Sequence, residues 1–113
     1  MESILTSVKK LLGVQSDYEH FDTDIIMHIN SALVTLHQLG IGPKNGFEIT
    51  SDFETWNDYC SDLKQVGLVK QYLYLKVRLV FDPPSNSFVV DAINKQISEL
   101  EWRLNTAAET ISI

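Results

Sequence analysis

The sequence predicts an all-α fold: a small helical bundle of three main helices, with short N-terminal and middle helices and one irregular loop. Three observations carry that reading. Apolar residues recur at helical spacing in segments that begin near Ser3, Phe21, Val66 and Phe88. Glycine and proline are few, and they fall where those segments stop, at Gly13, Gly40–Gly46 and Pro83–Pro84. Strand-like alternation is confined to Phe47-Glu48-Ile49, room for at most a very short strand. At 113 residues the chain is expected to be a single domain, 1–113, and its 44% hydrophobic and 21% charged residues give a globular balance.

The first segment, Ser3–Leu12, places Ile4, Leu5, Val8, Leu11 and Leu12 on one helical face. Lys9, Lys10 and Gly13 suit its C-terminal end. Such a short helix is marginal alone and must pack on something. The second helix is predicted over Thr23–Leu39, with Asp22 as N-cap, Asp24 in the first turn, and Phe21 and Ile26 spaced as a hydrophobic staple. Ile25, Ile29, Leu33 and Leu36 mark its buried stripe. Gly40 suits the left-handed position of a Schellman end, which would bring Ile41 onto Leu36.

Gly42-Pro43-Lys44-Asn45-Gly46 reads as a loop. Ser51 and Glu54 have capping-box spacing, so a brief helix is expected next, with Phe53, Trp56 and Tyr59 as an aromatic lid over the core. Val66–Phe81 is the core helix. Val69, Leu73, Val77 and Val80 form one stripe, and Leu68, Tyr72, Leu75 and Leu79 a second beside it. A helix greasy over so much of its circumference is central in a bundle or lies between subunits. The expectation is that one copy cannot hide it all, so that copies lie side by side. Asp82-Pro83-Pro84 ends it, because proline removes amide donors and disfavours helix before it. Ser85 or Ser87 would cap a last helix running to about Asn105, with Val89, Ile93, Ile97, Leu100 and Leu104 inward and Phe88, Ala92 and Trp102 flanking. Residues 106–113 are expected to form a flexible tail.

Charge is segregated. The net charge is −6, yet nine acids and the single base Lys44 lie between Asp17 and Asp62, while Leu63–Phe81 carries Lys64, Lys70, Lys76 and Arg78 with no acid. Either the acidic stretch is a solvated face, or unlike faces meet between copies. Complementary patches on an asymmetric molecule build head-to-tail contacts, which close into rings. The acidity also argues against general phosphate binding. The most basic helix is too apolar to leave a face free for a DNA groove.

No arrangement for catalysis stands out, and neither a metal nor another cofactor is expected. Asp24 and His28 stand at i, i+4, but no third ligand lies near in sequence and His20 and His37 share no ligand spacing with His28. Cys60, the only cysteine, sits in an acidic stretch that would not lower its pKa, so it reads as a small half-buried side chain. There is no Gly-rich phosphate loop and no nucleophile elbow. No apolar run is long enough to span a membrane, and Met1–Gly13 has no signal-peptide block.

The run Tyr72-Leu-Tyr-Leu-Lys-Val-Arg-Leu-Val-Phe-Asp-Pro-Pro84 resembles the signature of the head–tail connector (adaptor) proteins of long-tailed phages and Gram-positive prophages. Ser87-Phe88 leading into Ile97–Leu104, the stretch Phe21–Gly40 with its Leu-Gly-Ile-Gly ending, and Trp56 are similar to that family too. The likeness spans roughly residues 4–104. It implies a structural virion protein, assembled in the bacterial host cytoplasm and placed at the head–tail junction. Copies, typically twelve, would form a ring beneath the portal protein, extend the DNA channel, and present a platform to a stopper or tail-completion protein. DNA would pass without specific binding.

On that footing Lys64, Lys70, Tyr74 and Arg78 are the expected subunit-interface residues. Asp52, Glu54, Asp58 and Asp62 are the expected lumen-facing acids, repelling phosphate from the channel wall. Thr106, Ile111 and Ile113 would bind the portal. The alternative is a small helical regulatory or protein-binding module of a phage or its host.

Overall fold

In the computed structural model the chain forms α1 (Ile4–Leu12), α2 (Asp22–Gln38), α3 (Trp56–Tyr59), α4 (Leu63–Phe81) and α5 (Ser87–Ser112). The structure describes residues 2–60 and 63–112, with side chains except at 63, 64 and 109–112. The all-α bundle read from the sequence is what forms. Among the described residues no strand appears, and the only isolated bridge joins Ser3 to Thr55. Phe47–Ile49 runs irregularly beside α2, where Asn30 accepts from the Ile49 N–H at 2.8 Å and donates to its carbonyl at 2.9 Å.

α4 is the central rod, packed against α1, α2 and α5. Val69, Tyr72, Leu73, Leu75 and Val77 are all buried within the single chain. Leu68 and Leu79 are half-buried and packed against the same core. The expected excess of apolar surface on this helix is therefore not there: of its two stripes only Val80 stands out, 63% exposed. A radius of gyration of 13.8 Å is close to the ~13 Å of a compact domain this long. One copy closes its own core.

Helix ends follow local chemistry in part. Gly40 takes φ 85°, and its N–H bonds the His37 carbonyl while the Ile41 N–H bonds that of Leu36. Both Schellman bonds are made, and Ile41 and Leu36 are buried together in the core. Asp22, in contrast, is not the N-cap of α2. Phe21 holds that position without a side-chain bond, and the Asp22 carboxylate pairs with Lys9 at 2.7 Å. The cap of α5 is Asn86, whose Oδ1 accepts from the Phe88 N–H at 2.8 Å, rather than either neighbouring serine.

The middle loop is also corrected. Ser51 and Glu54 fold a turn instead of starting a helix; the capping box belongs to Thr55 and Asp58 at the head of α3. Trp56 and Tyr59 form the expected lid, but Phe53 points away, 84% exposed. Trp56 donates its indole N–H to the Ser7 hydroxyl at 2.8 Å, and the Ile4 N–H bonds the Glu54 carbonyl, so this loop and α1 dock together. α5 overruns its predicted end near Asn105. Residues 106–112 continue the helix where the sequence reading left a loose tail. Asn105 donates to the Leu39 carbonyl at 3.3 Å and Ala108 packs on the core, its Cβ only 3.4 Å from where a Gly40 Cβ would lie.

Candidate functional site

The polar strip of α4 keeps the geometry its spacing predicts: Lys70, Tyr74 and Arg78, one turn apart, are all half-buried along one side of the helix. Lys70 Nζ sits 5.4 Å from the centre of the Trp56 ring. Arg78 Nη1 donates to the Tyr74 hydroxyl at 3.2 Å. Among the described residues neither cation meets a carboxylate; the ion pairs are Lys9–Asp22 and Arg103–Glu99. The strip thus presents positive charge that no described carboxylate compensates. The Lys64 side chain lies outside the described residues.

The expected lumen acids divide. Glu54 accepts from the Thr50 N–H at 3.0 Å, its hydroxyl at 2.9 Å and the Ser51 N–H at 3.3 Å. Burial acts to raise its pKa, but these bonds and one from its own backbone outweigh that and hold it below the ordinary carboxylate value. Asp58 accepts from the Thr55 N–H at 2.9 Å. Both carboxylates are used in shaping the loop. Asp52 is exposed, and Asp62 lies outside the described residues.

Of the expected portal-binding tail, Thr106 is exposed on α5, whereas the side chains of Ile111 and Ile113 fall outside the described residues. Larger apolar groups stand on the outer side of α5: Phe88 is 83% exposed and Trp102 68%. Helical spacing could not tell which flank of the stripe would be open. The central Tyr72 is fixed from within, its hydroxyl donating to Glu101 at 2.7 Å; burial, then that carboxylate, push its pKa up. Tyr59 is raised chiefly by burial too, its ring lying against Gly42, where φ is +93° and an added Cβ would stand 2.8 Å from the hydroxyl.

No group of three or more His, Cys, Asp or Glu among the described residues is placed to hold a metal. The Cys60 thiol is half-buried and donates to Gln65 Oε1 at 3.5 Å. No described helix is long and apolar enough to cross a membrane. What the described surface offers is contact: a basic strip without a described carboxylate partner, an acidic loop bearing Phe53, and an open aromatic side of α5.

The family model for phage connector proteins matches residues 4–110. The chain belongs to that family. The match runs from the start of α1 almost to the end of α5, so it takes in α1 to α4 whole and all but the last two residues of α5. No curated protein and no solved structure matches the chain. Membership makes this a structural phage protein acting among other virion components. It accounts for a site made of surfaces rather than of a pocket with converging polar groups.

Proposed function

We propose that copies of this chain form a ring beneath the portal, joining the phage head to its tail and extending the DNA channel. The observation that carries the reading is the family match over residues 4–110. Its physical support is the divided surface. A positive strip with no carboxylate partner among the described residues, on a molecule of net charge −6, invites the acids of a neighbour. Part of the acidity between Asp17 and Asp62 faces the channel, where fixed negative charge repels phosphate and lets DNA slide without sticking. The α5 end, from Thr106 through Ile111 to Ile113, meets the portal, and weak single contacts multiply around a ring.

Sedimentation of the chain with purified portal rings tests this reading. Wild-type chain is expected to move to the portal's fast-sedimenting peak in many copies. Arg78→Glu is expected to weaken that assembly at least tenfold at low salt, with a smaller loss at high salt, because screened charges contribute less. Wild-type chain that stays at its own sedimentation rate beside the portal would contradict the proposal.

A further inference from the structure

Phe53 is 84% exposed, the most of any large apolar residue among those described, and its backbone is tied down on both sides. Its N–H donates to the Ser51 hydroxyl at 3.1 Å, and the Glu54 carboxylate ties Thr50 and Ser51 beneath it. The loop is further anchored by the Ile4–Glu54 backbone bond and the capping box at Thr55. An aromatic group already fixed in place loses little entropy when it is buried by a partner. Exposed Asp52 precedes it, and no basic residue lies within the loop from Gly46 to Cys60.

A matching recess exists elsewhere on the surface. Between α2 and α4 lies a groove of about 230 Å³, lined by His28, Ser31, Ala32, Thr35, Lys76 and Val80. Ala32 is buried at its base, and Val80 stands open on its wall. Exposed Met27 and Val34 lie one turn either side of Ser31. A cavity of about 150 Å³ is enough for a benzene ring. Lys76 gives the groove a positive charge, its Nζ 5.9 Å from the Tyr72 ring centre and without a described carboxylate partner.

The knob cannot reach its own groove. The loop lies along the side of α2 marked by Asn30, which binds Ile49, and by Ile26, which faces Thr50–Asp52. At roughly 100° per residue, His28 and Thr35 lie about 140–180° around the helix from those positions. Knob and groove are therefore on opposite flanks of the molecule.

We infer that Phe53 of one copy inserts into the α2–α4 groove of the next, with Asp52 against Lys76. Because the two patches differ, the contact is head-to-tail, the type that closes into a ring when the rotation per copy allows. This deepens the proposed function and rests on it for closure and for the portal. It moves Asp52 from the channel wall to the subunit boundary, leaving acids such as exposed Asp17 and Glu19 for the wall.

Cysteine trapping tests the contact in the full chain. In a Cys60→Ser background, Phe53→Cys and Val80→Cys variants are mixed under mild oxidation, alone and with portal rings. The mixture is expected to yield at least tenfold more covalent dimer than either variant by itself. Phe53→Ala should weaken self-association at least tenfold with an unchanged melting temperature. Asp52→Lys and Lys76→Glu should each weaken it, and the double swap should recover it. No excess of mixed dimer, with or without portal, overturns the inference. Rings formed on the portal without that cross-link would remove this contact and leave the proposed function standing. Cross-linked chains that ignore the portal would do the reverse.

Discussion

Lys9→Ala is expected to destabilise the fold by about 3 kcal/mol, the typical cost of removing one partner from a buried, hydrogen-bonded ion pair. Lys9 is 2% exposed. Its ammonium donates to the carbonyls of Ser16 at 3.1 Å and Tyr18 at 2.8 Å, and pairs with Asp22 at 2.7 Å. One cation thus gathers the α1–α2 connection and ties it to the start of α2. Alanine would leave two carbonyls and a half-buried carboxylate without their donor. Against a total stability of roughly 5–15 kcal/mol for a domain, the loss should be plain in urea unfolding midpoints. A change within about 0.5 kcal/mol, the range of ordinary surface substitutions, would show that water replaces the ammonium freely.

Leu73→Ala is expected to cost about 2–5 kcal/mol, the range for truncating a large aliphatic side chain inside a packed core. Leu73 is wholly buried on α4 within one copy. The same variant, where it stays folded, should associate with its neighbours as wild type does, because this face never reaches a partner. Urea unfolding and sedimentation, run together, separate the two effects. A variant of unchanged stability but lost assembly would return α4's apolar face to the subunit interface. The proposed contacts instead use the half-buried polar strip and exposed side chains.

Much of the fold was legible because local rules and tertiary packing agree. The Gly40–Ile41 ending of α2, the Asp82-Pro83-Pro84 stop and the inward positions Ile93, Ile97, Leu100 and Leu104 stand as the sequence indicated. Val89, read as the first of that inward line, is instead 41% exposed, because it lies in the first turn of α5, beyond the reach of the core. Disagreement arose where a distant partner outcompeted a local one. Lys9 suits a helix C-terminus, yet it also lies in register with Leu5 and Leu12 on the apolar face, which was the signal that it turns inward. Asp22, its partner, was correspondingly unavailable as a cap. In the last helix, Ala107 and Ala108 are strong helix formers, and Ala108 is small enough to sit against Gly40. Composition alone made that segment look loose.

The contact surfaces were less readable. Spacing placed Lys70, Tyr74 and Arg78 together, and the structure keeps them together. Spacing assigned Phe53 to the lid with Trp56 and Tyr59, and that was wrong, because the turn tied by Glu54 to Thr50 and Ser51 ends before α3 begins and leaves Phe53 outside it. Nor could it show the α2–α4 groove, which exists only once Val80 and Lys76 are brought opposite Ala32 and Thr35.

The most direct measurement is a cryo-EM reconstruction of this chain mixed with purified portal rings. The account predicts a closed ring of copies coaxial with the portal, its inner wall acidic and continuous with the portal channel. Portal particles with no added ring, or a ring whose lumen is lined by Lys70 and Arg78, would contradict it.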